Sequence, residues 1–437
     1  MKKAYKKIIA VLLISQILSI TSCSKDGAET DSTNESVIAN TLYVLNLTSP
    51  DRTELADAIK QYNETSDVRF ENKAVYGDNY EEAQKKFVLE IMSGQSADVI
   101  LIENRTLPSP IKAANEGVFL NLDTLISVDK SFDNNLYNKK VLDSGVINKK
   151  RYFMPLGYNI FSFAAQNKVI ESSGINLGKD IMSWDQMGLL ALDFMNPEKA
   201  SQQFFFYSVS EYLFDEIILN RKVSYIDYSK NKTHFNSEEF INTLDMFKTK
   251  IYPAVVSEDA ITKTGGNVIF NCAMWDNGLL NGMNLRSGNK SSKNYLMPTY
   301  NGEQTVFLEP TCQAAISAKC KNKKAAYDFI KYLSTDKFQQ DMPYFPINKK
   351  YLIDNTNIIF ENLGSDQNVK RNFDVLIPKD VLDKNFDTIE ELGISQMIDY
   401  WLLDIINSEL KAYLDGSKTA EQTARTIDEK VQLYLNE

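Results

Sequence analysis

The chain has 437 residues, of which 43% are hydrophobic and 24% are charged. This composition is typical of a globular protein, and the length exceeds what one hydrophobic core usually supports, so we expect two lobes or domains. The formal net charge of −10 argues against nucleic acid as a partner and against electrostatic adhesion to anionic lipid.

The first 22 residues have the two parts of a secretory signal. Four lysines lie within the first seven residues, and a nearly unbroken apolar run follows at 8–20. Thr21 and Ser22 lead directly into Cys23, and this ending resembles the lipobox of bacterial lipoproteins. The resemblance implies cleavage before Cys23 and a diacylglycerol thioether on its sulfur, whose two acyl chains would give stable membrane anchoring.

The alternatives for this segment are a transmembrane anchor and a simple secretory signal with a chance cysteine. The apolar run is too short to span a bilayer, which needs about 20 apolar residues. Removal of the signal with its four lysines changes the formal charge from −10 to −14. Residues 24–40 are rich in Ser, Thr, Asn and acids, which predicts a flexible tether with a reach of about 20 to 25 Å.

Two strand-and-helix units follow the tether. The apolar run at 41–47 predicts a strand, and apolar residues recur at helical spacing from Leu55 to Tyr62. A second helical pattern at 80–91 precedes a continuous apolar strand at 97–102. Open α/β sheets bind ligands at the carboxyl ends of their strands, so the polar residues after each strand are candidates for a binding wall. Solvent-facing loops are the alternative.

Further elements follow along the chain. We expect a strand or hairpin at 149–157 and another strand at 314–317. Asn322 is positioned to cap a helix that has apolar residues at every fourth position from Ala325 to Leu333. The last helix has buried-type residues at steps of four and three between 420 and 434, which predicts one face packed on a lobe.

Cysteine and histidine usage argues against several kinds of catalytic and metal site. Three cysteines remain after Cys23, without the spacing of a disulfide framework or zinc site, and we expect buried thiols: Cys272, Cys312 and Cys320. His234 is the only histidine, and no phosphate- or dinucleotide-binding motif occurs, so we expect no metal and no cofactor. Adjacent acids at 238–239 and 390–391 leave a glycan hydrolase as a weaker alternative, although such pairs usually lie on a solvated helix face.

Several segments occur in an informative order, although each one alone is a weak signal. In chain order they are IMSGQSADVILIE, ANEGVFLNLDTLI, NKKRYFMPLGYN, SWDQM, LEPTCQAAISAKCKNKKAAYDFIKYLSTDKFQ, YFPINKK and KVQLYLNE. This set covers nearly all of the mature chain. It resembles the extracellular solute-binding family to which maltose-binding protein belongs, the receptor subunits of ABC importers. The chain departs from the usual family pattern at GGNVIFNCAMWDNG and at Cys312, which bears on the identity of the ligand rather than on the fold.

The resemblance implies an α/β fold of type II with two lobes, each a sheet flanked by helices, and a hinge between them. The first lobe would comprise 41–156 and 310–345, and the second 157–309 and 346–437. A solute, expected to be a carbohydrate or oligosaccharide, would bind between the lobes and close them. The protein would act as a lipid-anchored monomer on the extracytoplasmic side of the membrane and deliver its ligand to ABC permease subunits. A membrane sensor is the alternative recipient.

The resemblance also implies which residues line the cleft. They are Asp51, Arg52, Glu103, Arg105, Tyr158, Asn159, Tyr207, Trp275, Asp276 and Asn277. Acids, amides and arginine suit sugar hydroxyls, and aromatic rings suit the apolar face of a pyranose. Core packing is the alternative for each aromatic, because the chain has 22 Tyr and 23 Phe. Trp184 is expected in the core instead, at the start of a helix that Ser183 caps.

Overall fold

The computed structural model describes residues 41–47, 53–93, 97–166, 170–172, 174–175, 182–194, 203–207, 210–256, 267–275, 292–303, 305–335, 337–354 and 389–437. Cys23 and the predicted signal and tether lie outside these ranges. Residues 41–437 form one compact unit. Within the described part of the chain, no helix combines the length and the apolar character needed to cross a bilayer.

The strands in the described ranges vary in length from two to fourteen residues. They are β1 (Thr41–Leu47), β2 (Arg69–Val75), β3 (Val99–Glu103), β4 (Val146–Ile147), β5 (Lys150–Arg151), β6 (Phe153–Gln166), β7 (Gln203–Tyr207), β8 (Ile226–Asp227), β9 (Lys232–Thr233), β10 (Val255–Val256), β11 (Asn267–Trp275), β12 (Ser292–Leu296), β13 (Val306–Ile316), β14 (Phe345–Pro346) and β15 (Gly393–Ile394).

Helices flank the strands. They are α1 (Glu54–Thr65), α2 (Tyr80–Ser93), α3 (Pro110–Asn115), α4 (Asp123–Ile126), α5 (Lys139–Ser144), α6 (Trp184–Phe194), α7 (Ser210–Leu219), α8 (Glu238–Met246), α9 (Lys323–Thr335), α10 (Lys337–Asp341), α11 (Tyr400–Leu414) and α12 (Ala420–Asn436).

Most strands join one mixed sheet, in the order β10-β7-β11-β6-β13-β3-β1-β2. At one end β1, β2 and β3 are parallel, and at the other end β7, β10 and β11 are parallel. The long strands β6 and β13 lie between these groups and pair antiparallel with each other. Because β3 is antiparallel to β13 and β11 is antiparallel to β6, the carboxyl ends of the two groups point towards one another.

Two separate hydrophobic regions correspond to the two lobes. In the first lobe, alternate side chains of β1 enter different clusters: Val44 packs on the side of α1 and α9, and Leu45 on the side of α2. Phe70 of β2 stacks on Phe329 of α9, with ring centroids 4.3 Å apart. In the second lobe, residues of α6, α7, α8, α11 and α12 form one further cluster. The fold is therefore α/β with two lobes.

The strand β6 contributes to both lobes. Leu156, Tyr158 and Ile160 pack in the first lobe, and Phe163 packs in the second. The change of core therefore lies between Ile160 and Phe163, a few residues beyond the limit expected after Leu156. The full set of lobe limits stays a prediction, since residues 41–437 form one compact unit.

The middle of β6 is a point of close backbone approach. A Cβ atom at Gly157 would lie 3.0 Å from the Cβ of Tyr344 and 3.1 Å from the sulfur of Met342, so glycine is the residue that fits there. Pro346 of β14 pairs with Gly157 on this side. On the other side, the pairing of β13 with β6 shifts register on both sides of Cys312, which bends the strands where the lobes join.

Most predicted elements are confirmed, and two are longer than predicted. The strand at 41–47 and the last helix occur as expected. Asn322 caps α9, because its Oδ1 accepts from the backbone N of Ala325 at 3.2 Å. The strand predicted at 314–317 is the end of β13, which is much longer. The strand or hairpin predicted at 149–157 comprises β5, which forms a hairpin with β4, and the start of the much longer β6. The buried polar residues of β6 and β13, Asn159, Glu309, Thr311 and Gln313, interrupt the apolar pattern, so hydrophobic patterning alone could not show the length of these strands.

Two leucine substitutions test the first-lobe core. Leu333 of α9 is fully buried, whereas Leu433 of α12 is 62% exposed. We expect Leu333→Ala to lower the free energy of unfolding by about 2 to 5 kcal/mol, because it removes buried surface and leaves a cavity. The matched change Leu433→Ala should alter it by less than about 0.5 kcal/mol. Urea unfolding of both variants measures this, and similar losses in the two would contradict the assigned packing.

Candidate functional site

The carboxyl ends of strands from both lobes approach the same part of the sheet. Glu103 ends β3 opposite Cys312, which in turn is in register with Gly157 of β6. From the opposite direction, Trp275 ends β11 opposite Ile160 of β6. Gly157 and Ile160 are separated by about 10 Å along the strand. Ligands of open α/β sheets bind at such carboxyl ends, so this region, here called the junction site, is the candidate functional site.

One arginine connects the two lobes at the junction site. Arg105 lies in the short 3₁₀ turn after β3. Its guanidinium is 3.7 Å from Oδ2 of Asp215 in α7 and 3.6 Å from Oδ1 of Asp404 in α11. It also lies 5.0 Å from the ring centroid of Tyr400 and 6.0 Å from that of Tyr212, within the range of cation–π attraction. Since α7 and α11 pack in the second lobe, this side chain links the lobes directly.

A group of buried carboxyls surrounds Arg105. Burial raises the pKa of Asp215 to about 7 and that of Glu309 to about 7. Burial also raises the pKa of Glu216 well above its usual range, and the nearby Glu309 and Asp215 carboxyls raise it further. The hydroxyl of Tyr400 donates a hydrogen bond of 3.4 Å to Oε1 of Glu309, and this bond partly opposes the rise in the pKa of Glu309. At neutral pH the group therefore carries fewer charges than its number of acids suggests.

The structure brings two of the predicted site residues together. Glu103 and Arg105 both lie at the junction site, and the sulfur of Cys312 is 3.9 Å from Oε1 of Glu103. Glu103 also closes the turn that carries Arg105, because its backbone N donates to Oγ1 of Thr106 at 3.1 Å. Their contact with a ligand stays a prediction.

Tyr158 is placed differently from the expectation. It is only 1% exposed and packs in the first-lobe core, with its ring centroid 5.7 Å from that of Phe345. Its side chain lies on the same face of β6 as Leu156 and Ile160, because alternate residues of a strand share a face. The core-packing alternative therefore describes Tyr158 in this structure. The adjacent Asn159 is also buried.

The structure describes the remaining predicted site residues only in part or not at all. Asp51, Arg52, Asp276 and Asn277 lie outside the described residues. Tyr207 and Trp275 end β7 and β11, which places their backbones at the carboxyl ends of second-lobe strands, and their side chains are not described. Trp184 is in the core as expected, at 1% exposure, and Ser183 caps its helix by accepting from the N of Gln186 at 3.2 Å.

Sequence reasoning missed the helical side of the junction site. Tyr212 and Asp215 come from the first turns of α7, and Tyr400 and Asp404 from the first turns of α11. The sequence offers one signal, an aromatic pair directly after Asp399, whose Oδ1 caps α11. That signal equally fits core packing, so the pairing of these helices with Arg105 needed the structure.

The thiols and the acidic groups show no metal-site geometry. Cys312 and Cys320 are buried, as expected, and burial raises the pKa of Cys320 to about 12. The side chain of Cys272 is not described. In the described ranges, no group of three or more His, Cys, Asp or Glu is arranged to hold a metal ion.

Two lobes whose strand ends face each other across shared long strands define a two-lobed binding protein with the type II fold. The chain belongs to the family of bacterial extracellular solute-binding proteins, whose model matches residues 46–340. A comparison with curated protein sequences gave no match.

Solved structures with low sequence identity share this fold. The sugar-binding protein MalE of Xanthomonas citri has a TM-score of 0.67 at 13% identity, and the match covers 91% of this chain and 97% of that one. An ABC substrate-binding protein of Listeria monocytogenes in complex with cycloalternan has a TM-score of 0.64 at 14% identity, over 91% and 99% of the two chains. A periplasmic oligogalacturonide-binding protein of Yersinia enterocolitica has a TM-score of 0.65 at 16% identity, over 91% and 99%.

The buried Glu309 should make stability depend on pH. Burial raises its pKa from 4.5 to about 7, so the unfolded chain loses this proton first as pH rises. The free energy of unfolding therefore falls between about pH 4.5 and pH 7 on account of this group. Glu309→Gln removes that loss, and we expect it to raise the free energy of unfolding by about 1 to 3 kcal/mol at pH 8 with little effect at pH 4.

Urea unfolding at the two pH values measures this difference. Glu64→Gln, a change at an exposed position near the end of α1, is the control and should have little effect at either pH. An equal gain from Glu309→Gln at pH 4 and pH 8 would show that removal of its charge is not the cause.

Proposed function

We propose that this protein is the lipid-anchored extracytoplasmic receptor of an ABC importer and that it binds a carbohydrate, in particular an oligosaccharide, at the junction site. The observation that carries the proposal is the meeting of strand carboxyl ends from both lobes beside Arg105. Family membership supports an extracytoplasmic solute receptor. Structurally similar proteins include one in complex with cycloalternan and one that binds oligogalacturonide.

The side chains at the junction suit a polyhydroxylated ligand. Glu103 and Asp404 offer carboxylate acceptors for sugar hydroxyls, and Arg105 offers several N–H donors in one plane. Tyr212 lies 49% exposed beside Arg105 and offers an aromatic face to the apolar side of a pyranose. Further contacts are proposed from Asn159 within β6, from the strand ends Tyr207 and Trp275, and from Asp51, Arg52, Asp276 and Asn277.

Binding would favour a closed arrangement of the lobes. A ligand that contacts both Arg105 from the first lobe and α11 from the second interacts better when the two are close, so it shifts the population towards closure. The closed form would then present a combined surface to the permease subunits. A sensor that uses the same closure without transport remains the alternative, and genes for permease subunits or for a sensor kinase beside this one would discriminate the two.

We propose a binding role without catalytic residues. The raised pKa values of Asp215 and Glu309 are a feature that glycoside hydrolases also use for their acid. The test is direct: an oligosaccharide that binds should be recovered intact after prolonged incubation with the protein. Release of shorter sugars would favour the hydrolase alternative instead.

The main experiment is a thermal-shift screen of the purified full-length protein against mono- and oligosaccharides. A ligand at 100 times its dissociation constant adds about 2.7 kcal/mol to the free energy of unfolding, which is readily detected as a rise in melting temperature. We expect at least one oligosaccharide to give this shift. Shifts with amino acids or peptides and none with sugars would overturn the carbohydrate assignment.

Two tryptophan substitutions test the position of the ligand. Trp275 ends β11 at the junction site, and we expect Trp275→Ala to weaken sugar binding by roughly 2 to 4 kcal/mol, as loss of an aromatic hot spot does, with a smaller change in stability. Trp184→Ala is the matched control. Trp184 is buried in the second lobe, so its truncation should cost about 3 to 5 kcal/mol of folding free energy.

Denaturant unfolding and ligand titration of both variants separate the two effects. If Trp275→Ala binds normally when folded but unfolds far more easily than wild type, Trp275 belongs to the core and not to the site.

The lipid anchor has its own test at Cys23. Cys23→Ala should abolish incorporation of labelled palmitate and leave the protein soluble or retained as an uncleaved precursor, because the thioether needs the sulfur. Ser24→Ala, at the neighbouring position, should still incorporate the label and partition with membranes. Labelled palmitate on the Cys23→Ala protein would show that the lipobox assignment is wrong.

A further inference from the structure

Among the described residues, acidic groups outnumber basic groups around the junction site. The carboxyls that interact with Arg105 or with one another there are Glu211, Asp215, Glu216, Glu309 and Asp404, and Glu103 ends β3 two residues before Arg105. Within the described part of the chain, Arg105 is a cation that interacts with Asp215, Glu309 and Asp404 together.

The two carboxylates beside Arg105 reduce its attraction for a ligand anion. Its guanidinium is shared between Asp215 and Asp404, and the side chain of Asp215 is only 8% exposed. A ligand carboxylate that took the guanidinium for itself would leave the buried Asp215 without its cation. Burial raises the pKa of Asp215 to about 7 although Arg105 lowers it. Loss of this cation would therefore make Asp215 take up a proton, and this coupled proton uptake opposes the binding of an anion.

The same contacts leave capacity for a ligand donor. The two separations, 3.7 Å and 3.6 Å, exceed the usual 2.7–2.9 Å of charge-assisted hydrogen bonds, so oxygens of both carboxylates retain acceptor capacity. The side chain of Asp404 is 67% exposed, which makes it reachable by an incoming group. A ligand hydroxyl or ammonium group can donate a hydrogen bond to this carboxylate.

The surface next to Asp404 has room for such a group. An open cavity of about 320 Å³ is lined by Trp401, Asp404, Ile405, Ser408 and Lys430. The ammonium of Lys430 pairs with the buried carboxylate of Glu409, so this lysine is already engaged. The cavity thus offers an indole and a hydroxyl beside the exposed carboxylate of Asp404.

We infer that the junction site selects neutral or amino-substituted oligosaccharides and rejects uronic acids, and that Asp404 is a determinant of this charge specificity. The inference rests on the proposed function, because it concerns the same ligand site. It adds the chemical class of the sugar, which the resemblance to other sugar-binding proteins leaves open.

The experiment measures binding of matched trisaccharides to the full-length protein by calorimetry. The probes are α-1,4- and β-1,4-linked trisaccharides of glucose, of glucosamine and of a uronic acid, compared within whichever linkage series binds. We expect the uronic acid to bind at least tenfold more weakly than the neutral sugar, and the glucosamine trimer to bind as well as the neutral sugar or better. The preference against the uronic acid should shrink at high salt.

A charge reversal identifies the residue. Asp404→Lys should raise the affinity for the uronic acid at least tenfold and lower that for the glucosamine trimer, because it replaces an exposed acid at the site by a cation. Glu64→Lys makes the same change in net charge at the exposed end of α1, opposite to the β1 turn, and should leave the order of affinities unchanged. Both variants are first checked for a wild-type melting temperature.

The possible failures are distinguishable. Uronic acid binding as tight as neutral sugar binding in the wild type overturns the inference and leaves the proposed function intact. If Asp404→Lys and Glu64→Lys change the sugar affinities equally, Asp404 is not the determinant of the charge specificity. Absence of binding by every sugar counts against the proposed function itself, and the inference fails with it.

Discussion

The antiparallel pairing of β6 with β13 is the constraint on which the rest of the molecule depends. Each strand is long enough to contribute to both lobes, and the other strands add outward from them in opposite directions. Because β3 pairs antiparallel with β13 and β11 with β6, the strand carboxyl ends of the two lobes must face each other. The position of the ligand site therefore follows from strand direction, and the register shift at Cys312 and the close approach at Gly157 place a bend there.

The carboxyls at this bend are buried at a cost in stability that either protonation or a cationic partner reduces. Asp215, Glu216 and Glu309 are buried, and burial disfavours their charged forms. Arg105 reduces that cost by crossing from the first lobe to α7 and α11 of the second. In this proposal Arg105 both joins the lobes and contacts the ligand, so a ligand that binds at Arg105 also changes the contact between the lobes. This coupling is the physical basis that we propose for closure.

The sequence predicted the local elements better than the geometry of the site. Local sequence features predicted the strand at 41–47, the cap at Asn322 and the core position of Trp184, because each depends mainly on neighbouring residues. The length of β13 could not be predicted, since Glu309 and Gln313 look like loop residues until their burial in the folded chain is known. The contacts of Arg105 with α7 and α11 join residues more than a hundred positions apart and leave no local pattern. For the same reason Tyr158 resembled a site residue although it packs in the core.

The central claim is that a ligand binds at the junction and brings the lobes together. Small-angle X-ray scattering of the full-length protein tests this claim most directly. It is measured without ligand and with a saturating concentration of an oligosaccharide that calorimetry has shown to bind. We predict a smaller radius of gyration with the ligand, because contacts from both lobes to one molecule favour the closed arrangement. An unchanged radius of gyration at full occupancy would contradict closure as the response to binding.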